Sequence, residues 1–222
     1  MAELFVRNAE GRPVPVSPED PAPVALVDPP RPLTVKEMLM RGADVAGLLA
    51  LEGRVFYASD AAANDRVTGQ TSFANTTPTF LLRVPANTVA IPLLTSLGQS
   101  GSVAGGDITV IIESDNVDRF SSSGTSETVF NSNTRTGGAT NLCTLYSGAT
   151  ATGGYGARIM GITVAADVAP AEGISNELIW SPSGPDFLVG PASFLVYTFA
   201  ASTGPTWLWT FKWAECPLDR LG

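Results

Sequence analysis

The stretch TWLWTFKWA, residues 206–214, decides the fold class. Trp207, Trp209, Phe211 and Trp213 alternate with Leu208, Thr210, Lys212 and Ala214. A period of two marks a strand, because successive side chains point to opposite faces. Large aromatics bury about 150–250 Å² each, so this face is either the floor of a core or a seam between subunits. A platform for stacking on sugar rings would use the same residues, but only if exposed. The preceding FLVYTF, residues 194–199, is equally apolar, and the two segments together predict a core hairpin. Residues 187–211 carry no charge, yet Pro191, Gly204 and Pro205 interrupt them, so they read as two buried strands rather than a membrane span.

Upstream the same texture continues. Short apolar runs at 54–59, 79–84, 88–94, 107–113, 127–130, 142–146, 157–164 and 177–180 are separated by Gly, Pro, Asn and Ser turns. No stretch between them is long enough for a helical crossover between parallel strands. The expectation is an all-β domain over 51–222, an antiparallel sandwich of the jelly-roll kind. Within it, residues 121–156 hold 14 Ser or Thr and seven Gly, with Glu127 and Arg135 the only charges. These read as long surface loops, with a contact surface as the functional alternative.

Residues 34–50 predict one short amphipathic helix. Thr34 and Glu37 have capping-box spacing, and Val35, Met38, Leu39, Val45, Leu48 and Leu49 fall largely on one face. Gly42 is the expected weak point. Residues 1–33 hold eight of the seventeen prolines, which exclude a helix or a central strand. The segment is expected as an extended arm, partly polyproline II. Leu4, Phe5, Val6, Val14, Val16, Val24, Leu26 and Val27 make it apolar enough to dock along another surface, a disordered tail being the alternative.

The composition removes several functions. There is no histidine, so Ser-His and Cys-His nucleophile pairs and His-based metal sites are excluded. The net charge of −8 and 13 Lys plus Arg argue against a nucleic-acid partner. No cofactor fingerprint is present. Cys143 and Cys216 are outside any redox motif and read as buried free thiols, a single disulfide being the alternative. Asp115, Asn116 and Asp118 supply oxygen ligands but lack calcium-loop spacing, so a turn is expected. Glu172 and Glu177 are the one carboxylate pair open to a glycosidase reading.

Two segments resemble virion structural proteins of tailed bacteriophages. PTFLLRVPANTVAIPLLTSL, residues 78–97, is similar to their strand, VPA-type turn and second strand. WLWTFKWAECPLD, residues 207–219, resembles their final aromatic strand, ending in Trp213, Ala214, Glu215, Cys216 and Pro217. The resemblance implies a jelly-roll-like capsid decoration (cement) protein, often a homotrimer, on the exterior of the virion. Its partners would be the major capsid protein and copies of itself, with neither nucleic acid nor membrane involved. It brings no catalytic residues. A tail or fibre protein that binds host-surface glycans is the alternative.

Overall fold

The computed structural model describes residues 5–7, 13–15, 33–40, 42, 44–60, 66–101, 103, 106–134, 139–166, 175–183 and 186–222. They belong to two compact units, Met1–Leu33 and Thr34–Gly222. In the first, Phe5–Arg7 pairs antiparallel with Pro13–Pro15, placing Val6 opposite Val14. Both described segments are extended, and they pair with each other. Proline is compatible with an edge position, where its missing N–H breaks no ladder bond.

The second unit begins with the capping box read from the sequence. Thr34 Oγ1 accepts the Glu37 N–H at 3.2 Å, and Glu37 Oε2 accepts the Thr34 N–H at 2.8 Å. The expected single helix is two, α1 (Val35–Met40) and α2 (Val45–Leu51). Gly42 adopts φ +64° between them, and the Asp44 carboxylate restarts the helix by accepting the Gly47 N–H at 3.0 Å. Left-handed backbone is cheap only for glycine, so the break falls there.

Among the described residues, eight strands have five residues or more. They are β1 (Val55–Ser59), β2 (Phe80–Val84), β3 (Thr88–Gln99), β4 (Asp107–Asp115), β5 (Ala157–Ala165), β6 (Ser175–Trp180), β7 (Ala192–Ala200) and β8 (Thr206–Pro217). One sheet runs β1-β8-β3-β6 and the other β5-β4-β7-β2. Every pairing among these eight is antiparallel. The first strand pairs with the last, the second with the seventh, the third with the sixth and the fourth with the fifth. A ribbon folded on itself in this way is a jelly roll.

The hairpin expected from FLVYTF and TWLWTF is not formed. β7 pairs with β2 and β4, whereas β8 pairs with β1 and β3 in the opposite sheet. The chain crosses between sheets through residues 201–205. Gly204 lies so close to the Gly69 carbonyl that a Cβ would sit 2.1 Å from that oxygen. The physical reason is visible in burial. β8 alternates between buried and part-exposed residues over most of its length, whereas β7 is buried on both faces.

Two layers of apolar packing explain that difference. The inner core fills the space between the sheets, where Phe80 sits 5.1 Å from Trp209 and 4.9 Å from Phe211. The second layer lies outside the β5-β4-β7-β2 sheet. There Leu81, Ile111, Leu195 and Tyr197 pack with Ala149, Ala151, Phe73, Phe120 and Tyr146. The Ser/Thr/Gly-rich stretch is therefore not simply a set of free loops. Its Thr144–Ser147 strand extends the sheet beyond β2, and Phe120–Ser122 pairs with Thr150–Ala151 over it.

Candidate functional site

The aromatic row of β8 belongs to the inner core. Trp207, Trp209, Phe211 and Trp213 are each 3% exposed or less. Trp207 donates its indole N–H to Thr198 Oγ1 at 2.9 Å, and Trp213 packs 6.4 Å from Phe56. Buried rings cannot stack on a sugar, so the platform reading is overturned.

Of the arm residues, Phe5, Val6 and Val14 lie in the paired segments. Leu4, Val16, Val24, Leu26 and Val27 lie outside the described residues, as does Glu172. Glu177 is exposed on β6. It borders a shallow groove of about 370 Å³ on the outer face of the first sheet, beside Ser59, Ser96, Leu208 and Thr210.

The acidic residues near 115 are committed to arginines. Asp115 Oδ2 accepts from Arg119, with Nε at 2.7 Å and Nη2 also in contact. Arg119 also reaches the Gly153 carbonyl. Asp118 Oδ2 accepts from Arg83 Nε at 2.8 Å, and its other oxygen accepts the Phe120 N–H at 3.1 Å. That partner holds the Arg83 guanidinium above its ordinary value, opposed by burial. These bonds pin the covering layer to the sheet. Among the described residues no three Cys, Asp or Glu side chains are grouped to hold a metal.

Cys143 and Cys216 are both free and buried. Burial, reinforced for Cys143 by the neighbouring Glu215 carboxyl, pushes its thiol far above the ordinary value, and burial raises Cys216 as well. A thiol disfavoured from ionising is a poor nucleophile.

Glu215 is the residue that sequence reading missed. It is 2% exposed, and its Oε2 accepts the backbone N–H groups of Leu142 and Cys143, each at 2.8 Å. Burial raises its carboxyl pKa, while the two backbone donors pull it back down. The signal was available. Residue 215 continues the inward odd-numbered row of β8, so alternation placed a carboxylate in the core.

Two surface features remain open to a partner. On the helix pair, Met40 at the end of α1 is 79% exposed and Leu51 at the end of α2 78%, and Leu39, next to Met40 in the chain, is partly exposed. At the edge of the sandwich, a groove of about 500 Å³ is lined by Ser114, Asp115, Asn116, Tyr155, Phe187 and Val189. Among the described residues no helix is long and apolar enough to cross a membrane. Comparison with protein families, curated proteins and solved structures finds no match to this chain.

Proposed function

We propose that this chain is a non-enzymatic structural protein of a tailed-phage virion, a decoration protein on the capsid exterior. Its arm and an oligomeric base clamp neighbouring major capsid subunits, with no role for nucleic acid or membrane. The observation that supports this most is the exposed helix pair that follows the arm in the chain. Met40 and Leu51 are apolar and almost wholly in water, although the sandwich beside them has a filled core. Exposed apolar side chains of this size fit a chain that buries more surface on assembly. The apolar residues of the Pro-rich arm extend the same character. Many weak arm contacts on one shell would hold each copy more firmly than any single contact.

Immunogold electron microscopy of particles tests the location. Label spread evenly over heads is expected; label confined to tails would overturn the decoration role. Deleting residues 1–33 tests the arm. The truncated chain should remain folded and lose attachment, and normal decoration by it would refute the clamp.

One observation favours the second reading, a tail protein that binds host glycans. Tyr155 is 73% exposed beside Ser114 and Asn116 in the larger groove. An accessible ring beside hydroxyl and amide groups can take a neutral sugar. Binding on a glycan array that is lost in Tyr155→Ala would favour it over decoration.

A further inference from the structure

The strand β5 closes the order of its sheet, pairing with β4 on one side and, among the described residues, with no strand on the other. Long free edges are normally blunted by proline, lysine, inward charge or a β-bulge. Residues 157–165 contain no proline, no lysine and no carboxylate, and their one charge is Arg158. The register shift in β5 falls between Arg158 and Met160, so residues 160–165 form a regular edge.

Met160, Ile162 and Val164 lie opposite Ile112, Val110 and Ile108, all buried in the inner core. Directly opposed residues share a face, so these three point inward. Yet Ile162, the middle one, is 38% exposed. The middle residue of this inward row is thus a part-exposed isoleucine.

We propose that this edge pairs antiparallel with the same edge of a second copy, about a twofold axis at Ile162. In a continuous sheet, inward residues must face inward residues, which requires the axis to pass through a residue rather than between two. An axis through any residue of the strand meets this condition, and Ile162 is the one whose exposed inward side chain is then covered by its own mate. Ile162 meets its own mate, Met160 meets Val164, and Gly161 meets Thr163. Each row is its own complement, as an isologous contact demands. Charge points to the same place. Two copies of a chain with net charge −8 repel, and this carboxylate-free strand lets them approach without opposing acids.

The inference deepens the self-association named in the proposed function and gives it twofold rather than threefold symmetry. Sedimentation equilibrium of the full chain over a concentration series should give twice the monomer mass. Ile162→Cys should form an intermolecular disulfide under mild oxidation, because opposed Cα atoms about 4.5–5.5 Å apart fit disulfide geometry. Thr163→Cys should not, since its own mate lies two positions along the strand. The native thiols are buried and do not compete. Ile162→Asp should raise the dissociation constant about tenfold or more. Met160→Lys should weaken pairing. Adding Val164→Glu should restore it, because the new ammonium then stands opposite the new carboxylate of the other copy.

Circular dichroism establishes that each variant is folded. A monomer at every concentration overturns the pairing while leaving attachment by the arm standing. A trimer, or a dimer that Ile162→Cys fails to cross-link, overturns the edge. A monomer whose attachment to particles is abolished by Ile162→Asp assigns the edge to another protein's strand and also refutes self-pairing.

Discussion

The carboxylate of Glu215 accepts the backbone N–H of Cys143 at 2.8 Å inside the core, joining the last strand to the chain entering the 144–147 strand. Glu215→Ala would leave the buried Cys143 N–H without its partner, at a cost of about 1–3 kcal/mol, and the part-buried Leu142 N–H at a smaller cost. Glu215→Gln keeps an oxygen for both donors and should cost much less. Urea denaturation of the two variants at neutral pH measures the difference, and equal losses would contradict this role.

The same residue predicts a pH dependence. Burial raises its folded-state pKa above the unfolded value, so the folded state binds the proton more tightly. Stability contributed by protonated Glu215 is present in full below the unfolded carboxylate pKa. It declines as pH rises from there through the raised folded value. Glu215→Gln lacks this slope and should gain on the wild type as pH rises across that window. Stability curves that stay parallel would show that the carboxyl is not perturbed.

Cys143 and Cys216 should be invisible to a thiol reagent in the native state. Both are buried and disfavoured from ionising. Ellman's reagent at mildly alkaline pH should titrate no fast thiol in the folded chain and two after denaturation. Rapid native labelling of either would refute their burial.

The crossing between β7 and β8 depends on a missing side chain. At Gly204 a Cβ would meet backbone, the Gly69 carbonyl oxygen at 2.1 Å, which cannot rotate away. Gly204→Ala should therefore destabilise by about 1–3 kcal/mol. Gly148 is the contrast, because a Cβ there would find nothing within 4 Å, yet φ is +60°. Its alanine variant bears only the cost of left-handed backbone, about 1 kcal/mol. Thermal denaturation of the pair separates collision from conformation.

Arg119 holds the outer layer in place through Asp115 and the Gly153 carbonyl. Both charged side chains are largely buried. Removing the cation leaves a buried carboxylate uncompensated, so Arg119→Met should cost about 3–5 kcal/mol. Hydrogen exchange should quicken first in residues 120–122 and 149–153, before the inner strands. Uniform acceleration across both sheets would mean that the layer is not a separate unit.

Much of this architecture was legible in the residues. Alternation from Trp207 to Trp213 located β8 and its buried face, and Thr34 with Glu37 located the start of α1. Gly42 marked the helix break. Sheet membership was not legible, because FLVYTF and TWLWTF look alike whether they pair or face each other. What separates them is the cover over β7, built from residues whose Ser, Thr and Gly content reads as solvent-facing. Local composition does not report that Phe120, Tyr146 and Ala149 fold over a distant strand. The free edge at β5 was less legible still. An edge strand announces itself only once its neighbours are known.

The nested pairing of the eight strands also sets a timetable. β1 finds its partner in β8, about 150 residues later in the chain. At synthesis rates of about 5–20 residues per second, Phe56 and Ala58 wait on the order of ten seconds or more before β8 exists to cover them. The sandwich cannot close progressively from its N-terminus, because each of the first four strands belongs beside β7 or β8. A ribosome stalled anywhere before Trp207 holds an open half-roll with its apolar face in water. The burden of keeping this chain from sticking falls on the cell during synthesis, before the last strand has left the ribosome.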